Sequence, residues 1–136
     1  MNDENLARNG AQADGMLKVH GLLSIIFGGV GIVAGVTVII LVGFGNTISG
    51  TDQSSIFGFT VTTMMISIFW ILPHLYLIFA GSFLLVGLKP SAVKVLVIIN
   101  LIIGIFLNLV LLVLAIINLR QLSDYQRAYL ARESNT

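Results

Sequence analysis

With 136 residues the chain holds one domain at most. Hydrophobic residues make up 57% and charged residues 10%, against about a quarter charged in a soluble domain, so there is too little polar surface for a water-soluble monomer. A net charge of +1 offers no steering field for nucleic acid, and the lack of cysteine excludes a disulfide, a thiolate nucleophile and a cysteine metal site.

Residues 1–15 include Asp3, Glu4, Arg8 and Asp14 in a mixed stretch without periodicity, which predicts a flexible polar tail. It makes a poor signal-peptide start: the region before the apolar run is not clearly basic, and the run is too long for a cleaved core. A retained first span is therefore expected. Residues 16–125 read as a transmembrane helical domain and 126–136 as a short cytoplasmic or interfacial tail.

No charge occurs from Val19 to Thr51. The apolar part, about Met16 to Phe44, exceeds the roughly 20 residues a span needs, which predicts tilt or an extended end. At steps of three and four, Gly21, Ser24, Gly28, Gly31 and Gly35 share one helical face. Lipid tails are as apolar as leucine, so helices gain little from hydrophobicity when they meet; small residues let two backbones approach, and van der Waals packing joins them. This glycine-zipper pattern predicts a packing face, directed at another helix of this chain or of a second copy. Gly43, Gly45, Asn46, Ser49, Gly50 and Asp52 then predict a loop free of Lys and Arg.

The second uncharged run, Gln53 to Leu88, is divided by Pro73 and predicts one kinked span whose outer end is Ile56 to about Ile66. Ala80, Gly81 and Ser82 give it a small packing patch, and Lys89-Pro90 ends it. The third run lies between Lys94 and Arg120 and can be read in two ways. As one helix it is about 37 Å long, a tilted span. As a hairpin it divides into Pro90–Leu107 and Asn108–Tyr125, with Gly104 a good helix stop and Asn108 a good helix start. The hairpin gives four spans and puts Arg8, Lys18, Lys89, Lys94, Arg120, Arg127 and Arg132 all on one side; the single helix gives three spans and divides them. The positive-inside rule favours four spans with both termini cytoplasmic. The fold class predicted is an all-α membrane bundle.

By residue pattern the chain resembles a broad group of small, mostly uncharacterised bacterial four-helix integral membrane proteins with a Gly-rich first helix. The matching residues are His20-Gly21-Leu22-Leu23 with Gly28-Gly29-Val30-Gly31, and Ala80-Gly81 with Val86-Gly87-Leu88-Lys89-Pro90-Ser91-Ala92, within Lys18 to Tyr125. The group often carries Trp-Ala-Arg where this chain has Ser91-Ala92-Val93-Lys94, and a Pro-Gly break where it has Gly104 to Asn108. The resemblance implies a four-helix fold in a bacterial inner membrane and no particular activity.

An ionisable residue inside a membrane is a functional candidate by default, and His74 is the deep one. It can serve a proton relay or a ligand, or it can bond a carbonyl freed by Pro73. His20, at the end of the first span, is not expected to share a haem with it. Asn100, Asn108 and Asn118 complete the candidate polar membrane site, as interhelical polar glue or as a hydrophilic path. Trp70, Tyr76 and Phe69 read as packing or interface anchors. No cofactor, metal site or enzyme activity is expected, since no Walker, Rossmann, zinc or nucleophile-elbow pattern occurs. The leading function is a small structural or accessory membrane protein that packs with itself or a larger complex through its glycine face. The expected partners are thus the bilayer and a second copy or a membrane complex. A small transporter is an alternative, without the first-helix Glu of four-helix multidrug transporters, since no acid lies in Gly15 to Thr51. A holin-like pore-former is another, with a basic tail offset here by Asp124 and Glu133.

Overall fold

A computed structural model describes residues 3–49 and 53–133, and among them every long element is helical. Helix α1 runs Asp3–Ser49, α2 Gln53–Ile66, α3 Leu72–Val86, α4 Pro90–Leu107 and α5 Leu109–Glu133, with a π-helical turn at Ser67–Ile71 between α2 and α3. Because α2, the π turn and α3 follow without a gap, the described residues make four helical segments. Ala7–Ile48, Ile56–Val86 and Pro90–Leu107 are each long and apolar enough to cross a membrane. The fold is therefore that of an all-α helical membrane protein.

Each break has a local cause. Pro73 lacks an N–H and cannot continue an α-helical ladder; the wider π turn comes directly before it, and its ladder bond runs from Leu72 N–H to Ser67 O. Helix α3 ends before Gly87, whose φ of +81° is the left-handed conformation that glycine supplies at a helix stop. Pro90 then opens α4 at a position where a missing N–H loses nothing. Between α4 and α5 stands Asn108 alone, extended at φ −159° and ψ 111°. Its Oδ1 accepts from Val110 N–H at 2.9 Å and Leu111 N–H at 3.4 Å, capping α5. Gly104 permits the tight return: a methyl there would lie 2.8 Å from Leu112 N. The hairpin reading of this region is the one the structure shows.

Two sequence expectations need correction. The stretch read as a flexible polar tail is helical from Asp3, because its apolar positions find a partner: Gly10 packs closely on Ala128 of α5, and Ala13 and Leu17 are buried. The residues read as the start of a loop, Gly43, Gly45, Asn46 and Ser49, are helical, while 50–52 lie outside the described residues. Glycine weakens a helix by about 0.8–1.0 kcal/mol relative to alanine, too little to end one this long.

The chain forms two compact units. The first comprises residues through Ile25 and those from Phe79 onward. Its core joins Ala13 and Leu17 of α1, Leu84 of α3, Val93 and Val97 of α4, and Ala115 and Tyr125 of α5. Tyr125 donates its hydroxyl to Leu88 O at 2.8 Å, tying α5 to the turn before α4. In this unit Gly21 and Gly81 meet reciprocally: a methyl at Gly21 would lie 2.7 Å from Gly81 O, and one at Gly81 would meet Gly21 O. The second unit, Ile26–Ile78, contains the rest of the glycine row. A methyl at Gly28 would lie 2.6 Å from Ile78 Cγ1 and 2.7 Å from His74 O, and one at Gly35 2.8 Å from Trp70 Cδ1. Gly31 faces the His74 ring itself.

Candidate functional site

Each unit holds one histidine, and the two are built differently. In the first unit His20 is fully buried, together with Ser24 one turn further along α1. The α4–α5 hairpin brings Asn100 and Asn118 to opposite sides of its ring. Asn118 Nδ2 lies 2.7 Å from Nδ1, and Asn100 Nδ2 lies 3.3 Å from Nε2. A neutral imidazole has one N–H and one lone pair. One carboxamide therefore donates to the ring, and the other meets it through its oxygen after a half-turn of the amide, a rotation that leaves the packing unchanged. Among the described residues no carboxylate bonds this ring; Asp14, the nearest acid along α1, pairs with Lys18 at 2.9 Å. The arrangement is a three-helix polar clamp made of neutral groups.

In the second unit, Trp70 donates its indole N–H to Gly31 O at 2.9 Å. Its ring stacks on His74, with centroids 5.2 Å apart and planes at 29°. His74 Nδ1 donates to Trp70 O at 2.6 Å. Pro73 withholds the α-helical donor from Phe69 O, and the imidazole bonds the carbonyl one residue further on. Absence of a side chain at Gly31 makes room for the ring.

The candidate polar residues are thus divided. Asn100 and Asn118 come together, on His20. Asn108 is the cap of α5, and His74 belongs to the other unit with Trp70 and Gly31. The structure adds His20 as the centre of the first site and Trp70 as a positioning group in the second. A usable signal lay in the sequence: Asn100 and Asn118 fall eight and ten residues from Asn108, so a hairpin turning there sets them at one level. A small cavity of about 20 Å³ lies elsewhere, between Gly10, Asp14, Tyr125, Ala128 and Tyr129, room for one water and too small for a substrate.

Neither a family model, nor a curated protein, nor a solved structure matches the chain.

Proposed function

We propose that this chain is a small structural or accessory protein of a bacterial inner membrane, acting through assembly with itself or with a larger membrane complex. One observation carries the reading: three buried polar side chains, His20, Asn100 and Asn118, are joined across three helices, both carboxamides meeting the imidazole. Polar side chains so placed hold helices in register. The glycine row supports the same view with one revision. Gly21, Gly28, Gly31 and Gly35 are covered within the chain, so the surface offered to a partner is not the glycine face. The outward residues are large hydrophobics such as Val30, Val33, Ile40 and Phe44 on α1, and Phe57, Phe69, Phe106 and Leu109 further on, suited to lipid.

Orientation follows from charge: with four spans all Lys and Arg residues lie on one side, which places both termini in the cytoplasm. Reporter fusions at residue 136 and between Ser49 and Gln53 test this, and a C-terminal reporter active only outside would overturn it. The accessory role is tested by the mass of the particle, and of any co-purifying membrane chain, in mild detergent. A strictly monomeric particle without partners, also after crosslinking in intact membranes, would overturn it.

A further inference from the structure

Three contacts fix one imidazole inside the span Ile56–Val86: a carbonyl on Nδ1, an indole against its face, and a glycine beneath its edge. Trp70 is itself anchored through its N–H to Gly31 O. The carbonyl of Trp70 can only accept, so Nδ1 carries the ring proton and Nε2 carries the lone pair. A carbonyl on the opposite nitrogen is the device that orients ligand-binding histidines in general, and a π-helical turn, present here next to the ring, often accompanies functional sites. His74 is 7% exposed. Among the described residues its Nε2 accepts no hydrogen bond, and it is not among the side-chain atoms sealed from the surface. His20 differs on each point: both its nitrogens are engaged and none of it is exposed.

An oriented acceptor calls for a donor. Trp70, stacked on the ring, is 44% exposed, and both residues lie in an apolar span, so whatever reaches Nε2 arrives along the indole through the apolar phase. We propose that His74 Nε2 and the open part of the Trp70 indole form a binding site for a lipid-soluble hydroxyl donor. The hydroxyl donates to Nε2, and its apolar body lies along the open part of the Trp70 indole. Two sources have this chemistry: the phenolic hydroxyl of a quinol and the free hydroxyl of a diacylglycerol. The site is independent of the accessory role, and either can fail alone.

Trp70 is the single tryptophan and His74 one of two histidines, so both report without labels elsewhere. The full chain in nanodiscs is titrated separately with a short-chain quinol and with a short-chain diacylglycerol, following Trp70 emission. Saturable change with either probe is expected, weakened about tenfold in His74→Phe, the size of one lost hydrogen bond in a dry site. A response to quinol alone, to diacylglycerol alone or to both identifies the source and supports the site. Should His74→Phe not fold, ¹⁵N-histidine spectra of the unaltered chain decide. The unprotonated nitrogen of one histidine should move with ligand while the other histidine stays fixed. No saturable response to either probe, an equal response in His74→Phe, or movement of neither histidine overturns the proposal.

Discussion

His20 and His74 are imidazoles of the same chain, each within an apolar helix, yet their surroundings make different use of them. At His20 the partners are carboxamides from α4 and α5, long-range in sequence, which occupy both ring nitrogens. At His74 the partner is a carbonyl four residues back on the same helical run, and only one nitrogen is engaged. The first arrangement joins helices; the second aims a ring. A histidine in a membrane segment therefore does not announce its role by depth or burial alone. The count of engaged nitrogens, and whether the partners are local or distant, separates a clamp from a presented acceptor.

The strongest way to break this comparison is at Gly31. Gly31→Leu drives a side chain into the His74 ring and should destabilise the fold by about 3 kcal/mol or more, at the upper end of overpacking penalties. Gly45→Leu, where an added methyl meets nothing within 4 Å, should be mild. Equal tolerance of both in a detergent-stability assay would show that the ring is not held by Gly31.

Next comes the clamp. His20→Leu leaves two buried carboxamides without their shared partner and should cost about 1–3 kcal/mol, larger than the roughly 0.6 kcal/mol of an average interhelical bond in a bilayer because two groups are stranded at once. Replacing Asn100 and Asn118 by Leu in the same background should recover most of the loss, since apolar replacement of all partners removes the unpaired groups. Failure of that rescue in a thermal-shift measurement would mean that His20 acts through its shape. Asn108→Ala removes the cap that sets the hairpin and should cost about 1 kcal/mol, lowering the clamp's stability without touching it. The same variant should leave Trp70 emission unaltered, which sharpens the separation of the two sites. Smallest of all, Trp70→Phe deletes one indole bond to Gly31 O, for about 0.5–1.5 kcal/mol. If His74 is held as described, its ¹⁵N spectrum should nonetheless broaden or shift in this variant, and that of His20 should not.

Much of the architecture is legible in the residues, for physical reasons. Uncharged runs mark the spans, Pro73 marks the irregular turn, and Gly104 with Asn108 marks the hairpin. The spacing of Gly21, Gly28, Gly31 and Gly35 points to close helix contact, since a leucine-sized residue at each would meet backbone or ring atoms. Where the reading fell short, the deciding partner is remote. Residues 3–15 lack a periodic apolar face, and their helix is held by a few contacts such as Gly10 on Ala128, which no local pattern signals. Gly43 and Gly45 suggested a loop on rules taken from water, where a frayed helix can bond to solvent. In an apolar phase backbone groups have no such alternative, and the helix continues. The His20 clamp joins residues 80 and 98 positions apart, so it follows only once the hairpin and the placement of α1 are known.

The turn at Asn108 carries a consequence for how this protein enters and sits in a bilayer. A helical hairpin normally has a polar loop at its tip that must be carried through the hydrocarbon during insertion. Here that load is a single residue whose own N–H bonds Gly104 O at 3.1 Å and whose O bonds Leu112 N–H at 3.1 Å. Its neighbours Phe106 and Leu109 are exposed hydrophobics. The 18 residues of α4 rise about 27 Å, close to the roughly 30 Å of a hydrocarbon core. Such a tip brings few polar groups to water, and the side chains that flank it are apolar. In a thicker membrane such a tip can end below the surface, so α4 need not stretch to match the bilayer around it.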